Sequence, residues 1–185
     1  MNKQPAVTEQ TRKNLQDAFW GLYVEKPIAK ISVKEITTRA GYNRGTFYLY
    51  YDDVYDMLDR IEAELLGKIR ALFEERVVKD GRPDIEGNMS FILETANDYD
   101  RDRLTVLLGD KGDPKFKSQF KELIWPLVAA YLAPEGAYSP SEERIAKRFF
   151  LSGLISAIVA WLEDDRGMPL DKFIELIMHR IVRIG

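Results

Sequence analysis

With 185 residues, 45% of them apolar and 31% charged, the chain has material for one compact core, or for a small domain joined to a larger one. Cysteine is absent, which excludes disulfides and thiolate catalysis and fits a reducing cytoplasm. The net charge of −3 argues against a nucleic-acid partner for the chain as a whole. Residues 1–51, however, hold eight basic and four acidic side chains, a local +4 that leaves −7 on the remainder. That asymmetry suggests a basic working end on an acidic body.

The first residues, MNKQPAVTEQTRKN, contain no apolar h-region, so no signal peptide is expected. Leu15, Ala18, Phe19, Leu22 and Tyr23 then form one helical stripe that ends near Pro27. Ser32 and Glu35 have the spacing of a capping box opening a second helix, and Gly41 supplies a tight turn. Asn43 is placed to cap a third helix, and Asp52 or Asp53 a fourth. The fourth carries Met57, Leu58, Ile61, Leu65, Ile69, Leu72 and Phe73 on its apolar side.

KDGRPD, residues 79–84, is the clearest break, and no sustained alternation of strand type occurs anywhere. Further helices are expected near 84–98, 101–109, 114–133, 140–164 and 170–184. Pro126 lies inside the third of these and should kink it. Ser139-Pro140-Ser141-Glu142 combines an N-cap, a proline at N1 and an acid at N3, a strong helix start. The run FFLSGLISAIVAWL, residues 149–162, is shorter than the roughly 20 residues that cross a bilayer and is read as a buried helix. The expected fold is all-α, with about nine helices.

Five of the nine tyrosines fall between residues 31 and 58: Tyr42, Tyr48, Tyr50, Tyr51 and Tyr55. A short helix, a glycine turn and a second short helix make a helix-turn-helix, whose second helix enters the DNA major groove. Arg44 can offer a bidentate fork to guanine. Gly45 leaves the backbone free to approach DNA, and Thr46 can bond a phosphate or touch a thymine methyl. Ser32 and Lys34 would face a neighbouring phosphate, and Asn43, at the start of the third helix, completes the set. Phe47 and Tyr51, four apart, should face the core. Tyr48 and Tyr50 flank that face, with rings on protein and hydroxyls toward phosphates. Tyr42 is expected to pack in the turn; helical position assigns Tyr55 no role.

RAGYNRGTFYLYYDDVYDML resembles the DNA-binding region of the tetracycline-repressor (TetR/AcrR) family. The likeness runs from Thr11-Arg12 through the Ser32 helix start to Leu58. It implies a helix-turn-helix domain over 8–56 and a helical regulatory and dimerisation domain over 57–185. It further implies base contacts from Arg44, Gly45 and Thr46 and phosphate contacts from Tyr48 and Tyr50. One position departs from the pattern. Where the family usually has a phosphate-gripping lysine near the start of the fourth helix, this chain has Val54, preceded by Asp52 and Asp53.

The last two helices are apolar over most of their circumference, so each needs cover on more than one side. The resemblance implies a homodimer built on them, with Phe150, Leu154, Ile158, Trp161, Phe173, Ile177 and Ile181 as interface candidates. Such a twofold dimer suits a palindromic double-stranded operator. Phe91, Tyr99, Phe120 and Trp125, together with Met89, Phe116 and Tyr131, are candidates to line a pocket for a small-molecule effector near Pro126. Core packing is the competing role for each of them.

An enzyme is disfavoured. His179 is the only histidine, Glu163-Asp164-Asp165 suits a solvated helix end, and neither a phosphate loop nor a nucleophile–base pair is recognisable. No catalytic residue, metal or cofactor is expected, and no membrane. The resemblance therefore implies a cytoplasmic, ligand-responsive regulator, with repression the family's common mode. The alternative is an adaptor of the same fold that acts through a protein partner with little direct DNA binding, a reading that Val54 and its acidic neighbours keep open.

Overall fold

A computed structural model of the chain describes residues 5–74, 78–79, 82–84, 87, 101–110, 112–132, 138–164 and 167–181. The chain divides into two compact units, Met1–Leu65 and Leu66–Gly185, and the division falls inside the fourth helix.

In the first unit, α1 (Pro5–Glu25) buries Leu15, Ala18, Phe19, Trp20, Leu22 and Tyr23. Pro27 follows its end, and a 3-10 turn (Ile28–Lys30) leads to α2 (Val33–Ala40). The capping box is present: the Ser32 hydroxyl accepts from the Glu35 N–H, and the Glu35 carboxylate accepts from the Ser32 N–H. Gly41 ends α2 at φ 76°, a left-handed conformation that costs other residues steric strain. The Tyr42 N–H reaches back 2.8 Å to the Thr37 carbonyl, so orphan carbonyls of α2 are satisfied by the turn itself.

The Asn43 side chain accepts from the Thr46 N–H at 2.9 Å and opens α3 (Arg44–Phe47), a single turn. The spiral continues through tighter bonds, Leu49 N–H to Thr46 O and Tyr50 N–H to Phe47 O. Asp53 rather than Asp52 caps α4 (Val54–Leu72), its Oδ1 accepting from the Asp56 N–H at 2.8 Å. Leu15, Phe19, Ile36, Phe47 and Met57 are fully buried and form the centre of this unit, with α2 packed on both α1 and α3.

The second unit contains α5 (Arg101–Leu108), α6 (Pro114–Leu132), α7 (Pro140–Leu162) and α8 (Leu170–Glu175), the last continuing as a π-helical segment (Leu176–Ile181). Eight α-helices are thus present among the described residues. The three helices α5, α6 and α7 pack on one another around Leu107, Leu108, Phe116, Phe120, Ile124, Ala146, Leu151 and Ile155. Pro126 sits inside α6 without ending it. Ser139 opens α7 through a second capping box with Glu142, and Pro140 follows at the first helical position.

Two expectations change, and a third lies mostly outside the described residues. The break at 79–84 overlaps a minimal antiparallel pair, β1 (Val78–Lys79) and β2 (Arg82–Pro83), in the register Val78↔Pro83 and Lys79↔Arg82. Two residues per strand are too few to show alternation, while the Asp80-Gly81 dipeptide between them is a favoured hairpin sequence. The helix expected at 84–98 lies mostly outside the described residues, though Gly87 is in a turn. The apolar run at 149–162 belongs to a longer helix of 23 residues. Its most apolar 18-residue window is only 17% buried within the chain, so it is not a buried core helix of the single chain.

Candidate nucleic-acid interface

The first unit exposes one continuous set of side chains along α2, the turn and α3. Ser32, Lys34, Asn43, Arg44, Gly45 and Tyr48 are exposed, and Thr46 and Tyr50 are half-buried. Directly beneath lie Phe47 and Tyr51, 0% and 3% exposed, with ring centroids 5.4 Å apart. The core therefore fixes α3 from below, and what faces outward is set by helical position alone.

Tyr48 rests its ring edge-on against Phe47, centroids 5.6 Å apart, yet remains 57% exposed. Tyr50 is tilted against Tyr51 at 6.4 Å. Both rings are thus held by apolar contact, an arrangement that pre-orients amphipathic side chains for a polar partner. Tyr42 packs in the turn and its hydroxyl accepts from Asn14 Nδ2 at 3.0 Å. Tyr51 likewise accepts from Gln16 Nε2 at 3.2 Å, and burial raises its phenol above the usual pKa.

The cations of this unit fall into two groups. Arg12 pairs with Glu9 and Glu64, Lys26 with Glu35, Arg39 with Glu25 and Arg60 with Asp56. Lys13, Lys30, Lys34 and Arg44 are exposed and have no ion pair or side-chain hydrogen bond among the described residues, and of these Lys34 and Arg44 belong to α2 and α3. Two unneutralised cations on one face suit an anionic surface.

Ser32 is more committed than the sequence suggests. Its hydroxyl donates to Glu35 Oε2 at 2.8 Å, so that proton is already used within the protein. Glu35 occupies the N-terminus of α2 as an internal anion. Lys26 first, then Ser32, hold its carboxyl at a pKa of about 2.

The start of α4 has the opposite character. Val54 is buried, 6% exposed, while Asp52, Asp53 and Tyr55 are exposed. Asp56 accepts from the Asp52 N–H at 2.9 Å and from Arg60 Nε at 2.9 Å, and these bonds, Arg60 first, lower its pKa. Together with the Asp53 cap, this ties the Asp52 and Asp56 N–H groups at the helix start to the protein's own carboxylates. An exposed apolar residue beside α3 escaped the sequence reading: Leu49, 64% exposed, between Tyr48 and Tyr50. Its spacing of four from Gly45 was available as a signal.

In the second unit, Phe120 is buried and stacked on Phe116, centroids 6.2 Å apart. Trp125 is half-buried with Lys147 Nζ 5.6 Å from its ring centroid. Phe91, Tyr99 and Met89 lie outside the described residues, as does the side chain of Tyr131. Of the interface candidates, Phe150, Leu154, Ile158, Trp161 and Ile177 are half-buried, Phe173 is buried and Ile181 is 61% exposed. Phe149 and Ile145 on α7 are 73% and 72% exposed.

Trp161 is well held within the chain. It stacks on Phe173 at 5.1 Å, donates from Nε1 to the Met168 carbonyl at 2.7 Å and lies 5.0 Å from the Arg101 guanidinium. Arg101 also donates to the carbonyls of Trp161, Leu162 and Asp164, satisfying the C-terminal end of α7 with a cation.

The family model TetR_C_8, described as transcriptional regulator C-terminal region, matches residues 91–182. Among solved structures, a TetR transcriptional regulator from Streptococcus agalactiae is similar with a TM-score of 0.65 and 24% identity, over 96% of this chain and 97% of that one. The fatty acid degradation regulator FadR from Bacillus halodurans is similar with a TM-score of 0.61 and 15% identity, over 100% of this chain and 97% of that one. A search of curated proteins gives no significant match. A helix-turn-helix at residues 33–47, a matched regulator region behind it and a shared fold over nearly the whole length agree: the chain belongs to the TetR/AcrR family of transcriptional regulators.

Proposed function

We propose that the protein is a homodimeric, operator-binding regulator, most simply a repressor, whose DNA affinity is set by a small-molecule effector held in the second unit. The observation that carries the DNA reading is the exposed, unneutralised pair Lys34 and Arg44 on a face floored by Phe47 and Tyr51. Arg44, Gly45 and Thr46 are the base-reading residues in this proposal. Lys34, Tyr48 and Tyr50 hold phosphates, and Ser32 and Asn43 serve mainly as caps that fix the geometry.

Dimerisation is supported by the apolar and largely unburied α7, whose exposed side chains need cover from a second copy. The effector step is two-state. A ligand that prefers the conformation with mismatched recognition helices weakens DNA binding by its differential affinity, about 1–3 kcal/mol of coupling.

Selection of bound fragments from random and genomic DNA at two salt concentrations tests the reading. The expected result is an enriched palindrome. A dimer neutralising about six to eight phosphates should give a log–log salt slope near −5 to −7. The second reading, an adaptor working through a protein partner, is favoured by one observation: α4 begins with buried Val54 and exposed Asp52 and Asp53, where a phosphate would meet acids. No enrichment at low salt would select it.

A further inference from the structure

We propose that Leu49 reads the C5-methyl group of a thymine in the operator; this rests on the operator-binding reading above. Singly exposed leucines are ordinary on protein surfaces and by themselves mean nothing. Leu49 differs in its position. The spiral after α3 tightens to bonds spanning three residues, Leu49 N–H to Thr46 O at 3.3 Å, and in that geometry side chains three apart eclipse one another. Leu49 therefore stands directly beyond Thr46 and one helical turn beyond Gly45, on the face assigned to base reading, and Gly45 puts no side chain in its way.

Its neighbours fix it there. Tyr48 leans on Phe47 and Tyr50 on Tyr51, so the backbone on both sides of Leu49 is tied to the core. At 64% exposed, the leucine keeps most of its apolar surface in water in the free protein. The occupant that complements it follows from the surroundings. Lys34 and Arg44 on the same face recruit a polyanion, and the apolar group that the edges of duplex DNA offer in the major groove is the thymine methyl. A leucine placed there distinguishes thymine from cytosine by contact rather than by a hydrogen bond.

The test uses the full-length protein and the palindrome recovered by selection. Each thymine is replaced in turn by deoxyuridine, which pairs identically and lacks only the methyl. For the wild type, one symmetry-related pair of positions should lose affinity, by about fourfold per methyl contact, the worth of one apolar carbon leaving water. Leu49→Ala should bind the thymine site more weakly and show no further loss on deoxyuridine substitution. Because the side chain is exposed, the variant should melt as the wild type does and keep its dependence on Arg44.

Two results would overturn the inference while leaving operator binding intact: a bound palindrome indifferent to every thymine methyl, or an equal deoxyuridine penalty in Leu49→Ala. In the second case Thr46→Ser, which removes the other methyl on this face, would abolish the penalty instead. If no sequence is enriched at all, operator binding itself fails and the role of Leu49 falls with it.

Discussion

Arg44 stands exposed at the first position of α3, with its guanidinium uncommitted among the described residues. If Arg44 reads guanine bidentately, as proposed, Arg44→Ala should cost about 1–3 kcal/mol on the preferred site and relax the preference at that base. Binding isotherms on the preferred and singly substituted sites measure both. Loss of affinity without relaxed preference would make Arg44 a phosphate contact.

Glu35 gives a pH dependence. Its carboxyl falls from the ordinary 4.5 to about 2 in the folded chain, chiefly through Lys26 and then Ser32. A folded pKa below the unfolded one means stability that is fully present above pH 4.5 and lost as pH falls toward 2. Glu35→Gln keeps a capping side chain but not the charge. Its melting temperature should lie below that of the wild type at neutral pH, with the gap closing between pH 4.5 and 2. A gap independent of pH would assign the effect to packing.

Much at this scale was legible. Spacing of four placed Phe47 and Tyr51 inside and left Tyr48 and Tyr50 beside them, because a short helix on a core has one inward side. Ser32 was harder. The pattern Ser-x-x-Glu signals a cap and equally places a free-looking hydroxyl at a helix start, and only the fold shows that this hydroxyl already donates to Glu35.

Among the elements, helix starts were the most legible because they are local. Ser32 with Glu35, Asn43 with Thr46 and Ser139 with Glu142 each close within three residues. The same locality makes Gly41 a sharp test. At φ 76°, Gly41→Ala should destabilise the first unit by roughly 1–2 kcal/mol, read as a lower urea midpoint. An unchanged midpoint would mean that the turn relaxes to another conformation.

Other features were not legible for an equally physical reason. The β1–β2 pair has two residues per strand, below any detectable period. The π-helical segment Leu176–Ile181 has no apolar period that sets it apart from the α-helix before it. For α7, composition announced an apolar helix but not what would cover it. Apolarity gives the need for a partner surface and leaves its source open.

For the whole molecule, that need becomes a statement about assembly. The protein should sediment at twice its 21.4 kDa chain mass. Leu154→Asp combined with Ile158→Asp would bury uncompensated charge in the proposed contact between copies. The double variant should sediment as a monomer and lose its preference for a palindrome over a half-site. A dimer that survives both changes would move the interface elsewhere, and Phe149 with Ile145, the most exposed apolar pair on α7, would be next to probe.

The start of α4 bears on how such a regulator finds its site. Asp53 and Asp56 already accept from the Asp56 and Asp52 N–H groups there, and Asp52 and Asp53 face solvent. Phosphate contacts hold a protein to any DNA alike, so their weakening lowers the grip on random sequence while base contacts remain. A genome offers about a million to a billion such competing stretches. If the protein reads an operator as proposed, letting go of them quickly keeps more of its copies in free search, so that few molecules in the cell suffice to find the site.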